Sequence, residues 1–142
     1  MKESKGLTKE MLELLRKSGY SEKAIGYFMN KVNVGLIEDA DQIYDHTGSC
    51  GDTLQIYLKI NNGAIEDAKF QYLGCPGAAA SASAIINIAK GKTLEEAEKI
   101  TEEDILKELE GLPESKRHCP KLAVTTLRRA IAEYKALGPF ES

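Results

Sequence analysis

From Asp52 to Ile60 the chain alternates without a break. Leu54, Ile56, Leu58 and Ile60 fall on one face, and Thr53, Gln55, Tyr57 and Lys59 fall on the other. Successive side chains of a strand point to opposite faces, so this pattern predicts a half-buried strand. Asn61-Asn62-Gly63 then supplies the residues that tolerate positive φ in a tight hairpin. A return strand follows to about Leu73, with Ala68, Phe70 and Tyr72 on one side. The segment from Gln42 to Thr47 reads as an edge strand. One face of such a sheet is apolar, and the rest of the chain supplies the helices to cover it.

Before the sheet, Thr8 to Lys17 predicts a short helix that Thr8 caps and Gly19 stops. A second helix opens at Ser21, with Ala24, Ile25 and Phe28 at helical spacing, and Asn33-Val34-Gly35 breaks the pattern. After the sheet, an alanine-rich run from Ala78 to Lys90 predicts a helix that packs closely. Thr93 with Glu96 and Thr101 with Asp104 are capping boxes opening two short helices. Ala123, Leu127, Ala130, Ile131 and Tyr134 make the apolar stripe of a last helix. The fold class expected is α+β, a small three-stranded antiparallel sheet packed against several helices.

A chain of 142 residues fits one domain, 1–142, with 1–18 as an N-terminal helical extension. The net charge is −3 with the signs interspersed, which argues against the basic stripe a nucleic acid requires. No apolar run has membrane-spanning length and no signal segment opens the chain, so the expected location is cytoplasmic and no membrane partner is expected.

Three cysteines cannot all pair within one chain, and Cys50, Cys75 and Cys119 each lie beside glycine, proline or a titratable residue. The hairpin brings Cys50 and Cys75 to the same end of the sheet. Pro120 disfavours helical angles at Cys119, which predicts that Cys119 is the N-cap of the last helix. Helix-end amides, with Lys116 and His118 alongside, would favour its thiolate. Thiolates select zinc, copper(I) or iron–sulfur species. Three cysteines with His118 would complete one tetrahedral zinc; with His118 or Asp52 they would complete the terminal positions of a [2Fe–2S] cluster. From spacing alone Asp52 reads as a solvated turn aspartate, and His46 as an exposed histidine. Cys119 beside His118 hints at a nucleophile dyad, but no third orienting residue is evident. The cysteines are far apart in sequence and form no local Cys-x-x-Cys signature.

At these residues the sequence resembles the U-type iron–sulfur scaffold family, the IscU proteins and the N-terminal domain of NifU. The resemblance runs from about Tyr20 to Tyr134. It includes Asn33-Val34-Gly35, Cys50-Gly51-Asp52, Gly74-Cys75 with Ala78 to Ala84, Gly91 to Ala97, Leu112-Pro113 and His118-Cys119 with Leu122-Ala123. The interval from Cys75 to Cys119 is similar to the IscU type. The resemblance implies a scaffold rather than an enzyme. It would accept sulfur from a PLP-dependent cysteine desulfurase, assemble a labile [2Fe–2S] cluster and transfer it to recipient apo-proteins. Zinc binds many members at the same residues, and a zinc-binding sulfur-handling or interaction module with no cluster is the alternative.

Carried over by position, Cys50, Asp52, Cys75, His118 and Cys119 would hold the cluster or metal, with Cys119 as persulfide acceptor. A homodimer in the cluster-loaded state is left open. The family's Leu-Pro-Pro-Val-Lys segment stands here as Leu112-Pro113-Glu114-Ser115-Lys116, which argues against a dedicated Hsp70-type chaperone of the usual specificity. The usual Pro-Arg-Asn-Val-Gly stands as Lys31-Val32-Asn33-Val34-Gly35, and Pro76 and Pro120 each follow a cysteine where the family more often has a small or polar residue.

Overall fold

In a computed structural model of the chain, the backbone is described for residues 2–137 and the side chains for 8–137. The elements are α1 (Lys2–Lys17), α2 (Glu22–Met29), β1 (Gln42–Thr47), β2 (Thr53–Asn61), β3 (Ala64–Leu73), α3 (Pro76–Ala89), α4 (Leu94–Glu98), α5 (Glu102–Leu109), a 3₁₀ turn (Glu114–Lys116) and α6 (Cys119–Leu137). The strands form an antiparallel meander in the order β1-β2-β3.

The alternation in β2 does what the sequence predicts. Leu54, Ile56 and Leu58 are fully buried, together with Ala68 and Phe70 of β3. Asn62 and Gly63 at the hairpin have φ of 54° and 76°, the pair of positive angles that suits the twist of the flanking strands. The register shifts between Lys59 and Ile60, where β3 carries one extra residue. Ile60 is consequently only partly buried, and Ile65 fills the core at that end. The free edge of β3 is closed by backbone: Gly35 N–H donates to Phe70 O and Phe70 N–H to Asn33 O. An open strand edge invites pairing with other chains, and the Asn33–Gly35 segment covers this one at Phe70.

Both capping boxes form as read. Ser21 caps α2, and its hydroxyl also donates to Leu109 O, which ties α2 to the end of α5. The alanine-rich α3 packs between α2, α5, α6 and β3. Ala78, Ala80, Ala82 and Ala84 are fully buried, so small side chains here permit close approach on several sides.

The reading of α1 needs correction. The helix begins at Lys2 instead of Thr8, so Thr8 lies inside it. Lys2, Glu3, Lys5 and Leu7 are good helix formers, and the helix runs on through Ser4 and Gly6 to Thr8. At its end Tyr20 N–H donates to Leu15 O and Gly19 N–H to Arg16 O, with Gly19 at φ 99°. This pair of bonds closes the helix and turns Tyr20 into the core.

Candidate metal and cluster site

The open end of the meander carries the chemistry. Thr53 pairs with Leu73, so Asp52 and Gly74 are the next residues on adjacent strands. Ahead of Asp52 the turn Gly48–Gly51 returns the chain from β1, with Gly48 N–H bonded to Asp52 O and Gly51 N–H to Gly48 O. Gly51 has φ 94°, a conformation that favours glycine, and Cys50 is left exposed on the tip.

Cys75 is the N-cap of α3, with φ −87° and ψ 167°, and Pro76 takes the first helical position. Its carbonyl accepts from the Ala78 and Ala79 amides. Its Sγ lies 3.3 Å from Asp52 Oδ2 and 3.7 Å from Cys119 Sγ. Cys119 is fully buried, and its sulfur lies 3.7 Å from His118 Nε2.

Donor atoms of Cys50, Asp52 and His118 lie within 4.8 Å of one another, and so do those of Asp52, Cys75 and Cys119. Asp52 belongs to both groups. The outer group has two exposed members, Cys50 and His118; the inner one reaches into the core. All five residues singled out in the sequence are therefore brought together. His46 is in neither group; it sits on β1 with Nδ1 3.4 Å from an Arg129 nitrogen.

Two expectations for Cys119 are corrected. His118 O accepts the Leu122 amide, so His118 precedes the first turn and Cys119 lies within it rather than capping it. Nor is Cys119 the more acidic thiol. The neighbouring Cys75 sulfur and burial push the Cys119 thiol up, against a smaller favourable effect of Lys116. The Cys75 thiol is held well below the ordinary value, first by a hydrogen bond from Cys119 and then by the Ala78 amide. Burial and Asp52 oppose this without reversing it. Of the two sulfurs, the helix-capping Cys75 is thus the one favoured toward the thiolate and Cys119 the one favoured toward the thiol.

Three neighbours went unassigned in the sequence. Gly74 and Gly77 provide room: a Cβ at Gly77 would meet Cys119 Sγ at 3.0 Å and Lys116 Cβ at 3.2 Å. Glycines flanking Cys75 were a visible signal, but only coordinates say what they make room for. Tyr20 is 8% exposed, and its hydroxyl is buried without a hydrogen-bond partner among the described residues. Burial pushes its pKa up to about 12, and the charges of Cys75 and Cys119 add to the effect.

An antiparallel meander covered by helices, presenting thiol, carboxylate and imidazole donors at its open end, defines a class of small α+β domains with a ready set of metal donors. Within that class this chain belongs to the NifU-like N terminal domain family, whose model matches residues 19–138. It is 49% identical over 117 residues to the iron–sulfur cluster assembly scaffold protein IscU 1 of Archaeoglobus fulgidus, spanning 81% of this chain and 76% of that one. It is 42% identical over 125 residues to the IscU scaffold protein of Escherichia coli K12, spanning 82% and 94%. A NifU-like protein (N-terminal) from Brucella abortus superimposes with a TM-score of 0.71, over 87% of this chain and 99% of that one. At 17% identity that last likeness concerns the fold alone.

Proposed function

We propose that this protein is an iron–sulfur cluster assembly scaffold and carrier, not an enzyme. One observation carries the reading: Asp52 lies within 4.8 Å of two donor groups that together contain all three cysteines and His118. The kinship with proteins named as IscU scaffolds supports it. Soft thiolates favour a cluster, while a hard carboxylate and an exposed imidazole at its edge favour a cluster that can leave. Cys50, Asp52, Cys75, His118 and Cys119 are the residues that would hold a [2Fe–2S] cargo.

In this reading a PLP-dependent cysteine desulfurase donates the sulfur. A thiolate of the scaffold attacks the terminal sulfur of the donor's persulfide, a new S–S bond forms, and the donor's thiolate leaves. Cys119 is the proposed acceptor. It must be uncovered by movement of the Lys116–His118 turn, and it must pass its proton to solvent or to Cys75. Recipients are apo iron–sulfur proteins, and a cluster shared between two copies is compatible with two exposed outer donors. The whole chain acts as one scaffold domain, with residues 1–18 an extension outside the family match. No helix among the described residues is long and apolar enough to cross a membrane, which is compatible with a cytoplasmic location.

Zinc at the same donors is the second reading, favoured by the proximity of sulfur, nitrogen and oxygen donors suited to one tetrahedral ion. Anaerobic reconstitution with iron, cysteine and a desulfurase separates the two. Visible absorbance that moves to an apo-ferredoxin, with added sulfur mapped to Cys119 by mass spectrometry, is the expected result. A colourless protein holding only zinc would overturn the scaffold reading, and sulfur confined to Cys50 or Cys75 would displace Cys119 as acceptor.

A further inference from the structure

Gly74 and Asp52 stand side by side on adjacent strands with no space between them. A Cβ built on Gly74 would lie 2.6 Å from Asp52 Cγ, 2.9 Å from its Cβ and 2.9 Å from its Oδ1. Carbon atoms do not approach that closely, so no other residue can stand at 74 while Asp52 keeps its place. The backbone does not itself require glycine there, because Gly74 is absent from the residues with positive φ. Gly74 is also exposed. What glycine contributes at this position is empty space.

The space is used by one carboxylate. Asp52 Oδ2 accepts from the Cys75 amide at 3.5 Å and lies 3.3 Å from Cys75 Sγ, and the same side chain is common to both donor groups. An alanine methyl at 74 would drive Asp52 Cγ and Oδ1 aside by rotation about the Cα–Cβ bond, and its contact with Asp52 Cβ would push the two strand ends slightly apart. The carboxylate would swing away from Cys75, and the two groups would lose their common member.

We propose that Gly74 is a positioning residue: its bare Cα holds the Asp52 carboxylate between the outer donors Cys50 and His118 and the inner pair Cys75 and Cys119, and so controls passage of metal between them. The consequence for cluster release rests on the scaffold reading above; the positioning of Asp52 does not.

The test compares Gly74→Ala, Asp52→Ala and the double variant in the metal-free full chain, titrated with cobalt(II) against a chromophoric chelator. Gly74→Ala is expected to fold with a melting temperature lowered by no more than several degrees, because the site is exposed and the strand ends can part slightly. It should weaken cobalt binding by about tenfold or more, the usual effect of disturbing a group that orients a ligand. Asp52→Ala should weaken it by the same factor, and the double variant should be no worse than either single one. In loaded protein, both single variants should lengthen cluster lifetime equally. Wild-type cobalt affinity in Gly74→Ala, or effects that add in the double variant, would overturn the proposal. Should Gly74→Ala fail to fold, its combination with Asp52→Gly decides, since that removes Cβ, Cγ and Oδ1 alike from the clash. Recovery of folding there supports the proposal, and continued failure makes Gly74 merely structural. A wild-type protein that binds cobalt but never builds a cluster would sink the scaffold reading and leave the cobalt comparison intact.

Discussion

Two sulfurs 3.7 Å apart, one favoured toward the thiolate and the other toward the thiol, make the pair Cys75 and Cys119 sensitive to pH. Cys75 has a depressed value in the fold, so its contribution to stability is present above the ordinary thiol value of about 8.5 and is lost as pH falls through the depressed one. Cys119 has a raised value, so its contribution is present below about 8.5 and is lost as pH rises beyond it. For the reduced, metal-free protein, the stability of wild type minus that of Cys75→Ala/Cys119→Ala should therefore climb from acid pH and peak near about 8.5. Urea denaturation at a series of pH values measures this difference; a flat profile would show that the two thiols do not interact. Asp52 shows the same dependence on neighbours. In sequence it is a turn aspartate, and its place within reach of four other donors follows from pairing two strands.

At the scale of elements, the segment between α5 and α6 leads directly into Cys119. Glu110 takes a left-handed conformation after α5, with its amide bonded to Lys107 O and the Gly111 amide to Leu106 O, and this directs the chain back over the site. Leu112 is buried, and Glu114–Lys116 form one 3₁₀ turn closed by Lys116 N–H to Pro113 O. A chaperone of the Hsp70 type binds extended apolar peptide, so this turn would have to unwind and Leu112 leave the core. Glu114 adds a charge to desolvate, and the loss of a buried valine contact would cost about 1.5–3 kcal/mol. A peptide spanning Gly111 to Cys119 should therefore bind a family chaperone roughly tenfold more weakly than a Leu-Pro-Pro-Val-Lys peptide, or worse. Fluorescence titration of both peptides gives the comparison, and equal affinities would show the substitutions to be neutral.

For the whole molecule, the donors come from three separate stretches: the β1–β2 turn, the β3–α3 junction and the start of α6. A metal that bridges them joins parts of the chain that are distant in sequence, and anything that binds the native state alone stabilises it. Zinc at a hundred times its dissociation constant should add about 2.7 kcal/mol. For a chain of this size that corresponds to roughly 5–10 °C in melting temperature. Calorimetry with and without zinc measures it. Cys50→Ser should reduce the gain while leaving the metal-free melting temperature nearly unchanged, because Cys50 is exposed on a turn. An undiminished gain would place zinc away from Cys50.

What the sequence determined by itself is local. The β2 alternation, the Asn62-Gly63 hairpin, the two capping boxes and the stripe of α6 each rest on residues a few positions apart. Backbone sterics and side-chain periodicity act over that range. The five candidate residues could also be picked out as donor types beside turns, and their family resemblance gave them order. Tertiary structure decided the rest. The acidic thiol is Cys75 and not Cys119, because helix capping, burial and the approach of two sulfurs set the balance. Asp52 is shared by two donor groups because Gly74, on the neighbouring strand, leaves room for it. These outcomes depend on distances between residues far apart in the chain, and no local pattern encodes such a distance.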